Sequence, residues 1–249
     1  MKLIALLALL PFTQDADDLE AEQKKAAVLD EQIAGIQDKS SRLCAQKVQD
    51  RNASRARVAT IAAQLAVKAY ANREYALMAK GKEIGRLKLT SKLDGDGAAF
   101  EDEFKRDDAA YTMKFRSALD GYFTLRSCDL TGKVEGKGDV REGVLTLGER
   151  KIRLTPTTVP FFAMFRCLTA QSMLKAPLAY DTLTFFGLDI RRDGTLRYIE
   201  KVKIRIGEKD VEAAKWLAED GEAQYPIYLV DGVIVKFDTQ DEALILQEK

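Results

Sequence analysis

The chain contains no histidine in 249 residues, and that bounds its chemistry before any motif is read. Ser-His-Asp and Cys-His nucleophile activation, His-bound zinc and His-based pH switching all require an imidazole. Catalysis would fall to carboxylates, Lys, Tyr or Cys. Asp120 and Glu200 draw the eye, but neither has a second carboxylate spaced for paired acid–base work. Cys44, Cys128 and Cys167 are widely separated and form no CxxC pair, so no metal or redox motif is implied. In an oxidising compartment Cys128 and Cys167 could bond to each other, leaving Cys44 free or bridging two chains. The equal alternative is three small buried hydrophobes. Asp94-Gly95-Asp96-Gly97 resembles the opening of a calcium loop. Ala98 stands where a ligand is needed, however, and Lys105 where a bidentate Glu is needed, so the stretch reads as a hairpin turn. Gly136-Lys137-Gly138 lacks the GK[ST] ending of a phosphate loop and also reads as a turn. These residues point to no enzyme, no metal and no cofactor.

Binding is the chemistry left. Tyr111, Phe115, Phe161, Phe162, Phe165 and Trp216 are the candidates to line a site for an apolar or amphiphilic, lipid-like ligand; the alternative for each is ordinary core. Thirty-nine basic and 39 acidic residues give a formal net charge of zero, so no global field argues for nucleic acid. Basic rows (Arg86, Lys88, Lys92; Lys114, Arg116; Arg197, Lys201, Lys203, Arg205) are either solvated faces or a surface for anionic envelope polymers or headgroups.

These side chains must be positioned by three kinds of segment. Residues 1–16 carry Lys2, an apolar run from Leu3 to Leu10 and then Pro11, the layout of a secretory signal, with a buried N-terminal helix as the alternative. The run is too short to span a bilayer. Residues 17–72 hold a single Gly, no Pro and much Ala, Glu, Gln, Lys and Arg, a strongly helical composition. Ala26, Leu29, Ile33, Ile36 and Leu43 make a narrow coiled-coil-like seam, and Val58, Ala62, Leu65 and Ala69 make another. Between them the register would place Lys47, Asp50 and Ser54 in the seam. Either one long helix carries a polar interruption, or the chain turns near Asp38–Ser41 and folds back as a hairpin; the plainer alternative is a solvated helix whose thin stripe packs on the sheet. The first half is mostly acidic and the second mostly basic, which suits antiparallel pairing in one chain or between two.

Residues 73–249 alternate with period two, the mark of half-buried strands. Strands are expected at Glu74–Ala79, Ile84–Leu93, Tyr111–Leu119 and Thr195–Ile206, with Asp120-Gly121, Asp220-Gly221 and Asp231-Gly232 as turns. In Thr195–Ile206 the alternation puts Leu196, Tyr198, Val202, Ile204 and Ile206 on one face and drops Glu200 among them. Phe161–Leu174 has helical spacing behind Pro160 and is the one internal helix expected. Asp181–Leu188 reads as a loop back.

Tyr75-Ala76-Leu77, Gly81-Lys82-Glu83-Ile84-Gly85 and the later Trp216-Leu217-x-x-Asp220-Gly221 turn resemble a group of exported bacterial β-rich proteins of unknown function. That group is similar in turn to envelope carriers of lipoproteins and lipids. The resemblance spans residues 74–238, carries no catalytic residue, and implies a curved antiparallel half-barrel closed by helix.

The expected fold is therefore α+β: a long helix or helical hairpin, then a curved antiparallel β-meander, half-barrel or barrel, with one internal helix. The expected function is a periplasmic or secreted bacterial protein that binds a lipid-like ligand without catalysis. The alternative is a structural adaptor of the cell envelope that self-associates through its N-terminal helices.

Overall fold

A computed structural model describes residues 13–106, 109–132, 134–174, 178–184, 189–220, 223–239 and 241–247. The apolar run Leu3–Leu10 and Pro11 lie outside the described residues. Helix α1 (Thr13–Gly35) and helix α2 (Arg42–Ala69) form a hairpin within one chain. The reversal is built from side chains that compete with the helix for backbone groups. Asp38 Oδ1 accepts from the Ser40 amide at 2.9 Å, and Ser41 caps α2 by accepting from the Cys44 amide at 3.2 Å. Ion pairs then align the two helices antiparallel: Asp15 with Lys68, Glu22 with Arg57 at 3.7 Å, and Asp30 with Arg55 at 2.7 Å. Such exposed pairs are worth little individually, but only the antiparallel arrangement satisfies all three.

Leu19, Ala26 and Leu29 of α1 are buried, as are Cys44, Ser54, Val58, Ala62 and Leu65 of α2. Leu43, expected in the seam, is 60% exposed, and its neighbour Cys44 is buried instead. The non-helical turn resets the register, so counting through it fails. Ser54 does sit in the seam, and its cost is offset because its hydroxyl donates to Glu22 Oε2 at 2.8 Å. No helix among the described residues is long and apolar enough to cross a membrane.

The rest of the chain makes one 15-stranded sheet. In chain order its strands are β1 (Arg73–Ala79), β2 (Lys82–Asp94), β3 (Gly97–Arg106), β4 (Ala109–Ala118), β5 (Leu125–Thr131), β6 (Gly136–Arg141), β7 (Val144–Leu147) and β8 (Arg150–Arg153). After these come β9 (Thr158–Pro160), β10 (Leu178–Thr184), β11 (Asp189–Ile206), β12 (Lys209–Asp220), β13 (Ala223–Val230), β14 (Val233–Asp238) and β15 (Glu242–Leu246). Each strand of β1–β8 pairs with its neighbour in sequence, as does each of β10–β15; β15 returns to pair with β1, joining the two meanders. The sheet is curved, unclosed and antiparallel except at β9, which runs parallel to β10. That exception has a cause: the connection from β9 to β10 carries a 3-10 turn (Phe161–Ala163) and helix α3 (Met164–Leu174), and a helical crossover is what joins parallel strands. Helix α3 lies on the inner face, with α2 packed against it.

Several local expectations change. Gly136–Gly138 opens strand β6 instead of forming a turn; a Cβ on Gly138 would sit 2.7 Å from the Thr146 carbonyl oxygen, so glycine permits close strand approach. Residues 181–184 belong to β10 and not to a loop. The turns at Gly95 and at Asp231-Gly232 stand, with φ of +60°, +50° and +77°; Gly221 lies outside the described residues. The largest change is in β11. A β-bulge between Tyr198 and Glu200 sets Tyr198 opposite Trp216 but Glu200 opposite Lys215. The bulge reverses every side chain beyond it. Glu200 is exposed beside Lys215, and Val202, Ile204 and Ile206 face away from α3.

Candidate functional site

Helix α3 divides the inner face of the sheet into two unlike halves. Toward β2–β5 it is sealed by Arg166, whose side chain is fully buried. The guanidinium donates to both carboxylate oxygens of Asp102 at 2.6 and 2.8 Å, to Ser91 Oγ at 2.9 Å and to the Thr90 carbonyl at 3.2 Å. It also lies 4.6 Å from the centroid of the Phe100 ring. Burial pushes the Asp102 carboxyl up from its ordinary range, and Arg166 opposes that rise. Next to this pair, Tyr70 accepts from the Ile234 amide at 3.0 Å, Tyr75 donates to the Ile234 carbonyl at 2.8 Å, and Thr169 bonds to Tyr70 and to the Gly232 carbonyl. Burial raises both tyrosine pKa values. The whole of α3's hidden polar surface is thus committed to holding the helix in place.

Toward β10–β14 the same helix leaves a cavity of about 460 Å³, within the size range of small-molecule sites. Phe161, Met164 and Phe165 supply its helical wall. Phe237 stacks between Phe165 and Tyr225, at 5.9 Å from each, so an aromatic row runs from the core to the half-buried Tyr225. Ala218 of β12 leaves space where a larger residue would fill the cavity. At the exposed end the lining turns polar. Thr182 faces Arg191 and Thr184 faces Asp189 across the β10–β11 pair, and the Thr184 hydroxyl bonds to the Asp189 carboxylate. The cavity therefore has an apolar body and a mouth with one carboxylate, one guanidinium and hydroxyls.

Of the six aromatics singled out in the sequence, Phe161 and Phe165 line this cavity. Phe115 packs on Phe100 at 5.0 Å in the sealed half, and Tyr111 pairs with Phe104 at 6.2 Å on the same side; neither reaches the cavity. Trp216 is buried two residues from Ala218 and meets Tyr198 edge-on at 5.7 Å, outside the lining. The side chain of Phe162 lies outside the described residues. The sequence pointed to none of Tyr180, Thr182 and Thr184: the expected loop over Asp181–Leu188 covered the two threonines and Tyr180 was placed in no element, although their spacing of two is a strand signal. Asp189, Arg191 and Tyr225 carried no signal of their own.

The cysteines are free and buried. Burial pushes the Cys128 thiol up to about 11 and the Cys167 thiol well above its usual range, and Cys167 donates to the Gly121 carbonyl at 3.3 Å. Both are poor nucleophiles. Several members of the basic rows are halves of cross-strand ion pairs: Lys88 with Glu103 at 3.2 Å, Lys114 with Glu101 at 3.0 Å, Arg116 with Asp94 at 3.1 Å, and Arg197 with Glu219 at 3.5 Å. Among the described residues no cluster of three or more Cys, Asp and Glu could hold a metal ion.

No family model and no curated protein matches the sequence. Among solved structures, the chain is similar to a DUF1089 family protein from Pseudomonas aeruginosa. The identity is 13%, over 61% of this chain and 89% of that one, with a TM-score of 0.40. The likeness is distant.

Proposed function

We propose that the protein binds an apolar or amphiphilic, lipid-like molecule in the cavity between α3 and β10–β14 and holds it without chemical turnover. One observation carries this reading. Between α3 and β10–β14 the sheet keeps about 460 Å³ of aromatic-walled space with a polar mouth. An amphiphile suits such a lining, with its apolar part against Phe165 and Phe237 and its polar part beside Thr184, Asp189 and Arg191. The test is titration of the full chain with an environment-sensitive fatty-acid probe, alongside Ala218→Phe. Saturable binding that Ala218→Phe abolishes, with the fold retained, supports the reading; absence of binding to the wild-type chain overturns it.

Export to the periplasm or beyond is part of the proposal and rests on the Lys2, Leu3–Leu10, Pro11 layout alone. Intact-mass measurement of the protein from its native host should show loss of roughly the first 13 to 17 residues. A full-length product would remove that part and leave the binding reading standing.

The envelope-adaptor reading has one observation of its own. The far half of the helical hairpin buries Ala26, Leu29 and Cys44 outside the main core and leaves Val28 49% and Leu43 60% exposed. Ile33→Asp should dissociate a helix-mediated assembly, seen by sedimentation; an unchanged assembly rejects this reading.

A further inference from the structure

The polar groups at the mouth of the cavity differ in whether the protein already uses them. Thr182, Thr184, Asp189 and Arg191 all line it, with Thr184 opposite Asp189 and Thr182 opposite Arg191 across the β10–β11 pair. The first of these pairs is closed on itself, because the Thr184 hydroxyl donates to the Asp189 carboxylate. Thr239, also in the lining, is committed as well: its hydroxyl donates to the Glu242 carbonyl at 2.9 Å and accepts from the Glu242 amide at 3.1 Å. The second pair is different. Thr182 is only 4% exposed, and its hydroxyl has no hydrogen-bond partner among the described residues. A polar group buried this deeply normally has one. Directly opposite, Arg191 brings a guanidinium to the same rim. A guanidinium has five N–H donors, so Arg191 can hold an oxyanion together with a protein partner.

We infer that the ligand is an acid, whose oxyanion head sits between the Thr182 hydroxyl and the Arg191 guanidinium while its apolar chain lies along Phe165 and Phe237. The inference rests on binding in this cavity and adds the charge of the head. Donor chemistry sets the sign. Thr182 can donate or accept, but Arg191 only donates, so a group shared by both must be an acceptor. Carboxylates and phosphates meet that need with several oxygens, and bonds between ionised partners are the stronger kind. A cationic head would meet Arg191 as a like charge and would find Asp189 already engaged by Thr184. An alcohol head could accept from Arg191 but would forgo the charge.

Calorimetric titration of the full chain with four compounds that share one decyl chain tests the inference: decanoate, decyl phosphate, decanol and decyltrimethylammonium, each below its micelle-forming concentration. At least one of the two acids should bind about tenfold more tightly than decanol and the cation, and the tighter acid identifies the head as carboxylate or phosphate. Arg191→Gln should bring the acids level with decanol. Thr182→Val keeps the shape of the side chain and should narrow the preference for acid about threefold. Because each variant is read as a ratio of acid to decanol, a general loss of binding is not mistaken for a loss of head recognition. Decanol or the cation binding wild type as tightly as the acids overturns the inference and leaves apolar binding in the cavity standing. So does a preference for acid that survives Arg191→Gln. Failure of all four to bind overturns both.

Discussion

The two sides of α3 were built from similar sequence and ended differently. Both are alternating strands with inward aromatics. On the β2–β5 side Phe100, Phe115 and Phe123 close against each other at 5.0 and 5.5 Å, and Arg166 fills the remaining space with four hydrogen bonds. On the β10–β14 side Phe165, Phe237 and Tyr225 stack in a row instead of closing, and Ala218 and Thr182 are too small to fill what is left. A core is sealed by volume and by polar satisfaction together, and hydrophobic pattern alone guarantees neither.

Breaking the sealed side at its ion pair should have the largest effect. Asp102→Ala leaves Arg166 buried without its carboxylate and should cost about 3–5 kcal/mol in denaturant unfolding. The double variant Asp102→Leu, Arg166→Met should recover most of that loss. If the single variant unfolds like wild type, the pair does not hold α3. Removing one aromatic from each side comes next. Phe100→Ala should cost about 3–5 kcal/mol because its surroundings are full. Phe237→Ala should cost less, since its side chain already lines the cavity; equal losses would erase the asymmetry.

Filling sharpens the same contrast with smaller effects. Ala98→Leu on the sealed side should destabilise by about 1–3 kcal/mol through overpacking. Ala218→Leu should change thermal stability little, because the cavity accepts the added carbons. The smallest effect lies in the hairpin. The Ser54 hydroxyl is the main cause holding the Glu22 carboxyl below its ordinary value, with burial opposing. A depressed folded-state pKa contributes stability above the unfolded value near 4.5 and loses it as pH falls through the folded one. Ser54→Ala should move the Glu22 titration seen by NMR upward; an unmoved titration would discount the bond.

Much of the fold was legible in the sequence. Composition marked residues 17–72 as helical, because propensity acts locally, and acidic–basic asymmetry favoured antiparallel pairing; the choice between one interrupted helix and a hairpin within one chain fell to the structure. Period-two alternation and Asp-Gly turns defined the meander, and Pro160 marked where its internal helix begins. The absence of histidine narrowed the chemistry without help from any contact. Four further features needed tertiary structure. The turn at Ile36–Ser41 shifted the seam from Leu43 to Cys44, because a register does not survive a break in the helix. The bulge after Tyr198 sent Val202, Ile204 and Ile206 to the outer face, and one extra residue in a strand leaves no mark in its composition. Strand β15 joined the two meanders by a pairing between residues 75–79 and 242–246, a separation that local pattern does not reach. The cavity depended on where α3 crosses the sheet, which the Arg166–Asp102 pair fixes across 64 residues, so only Phe161 and Phe165 could be named beforehand.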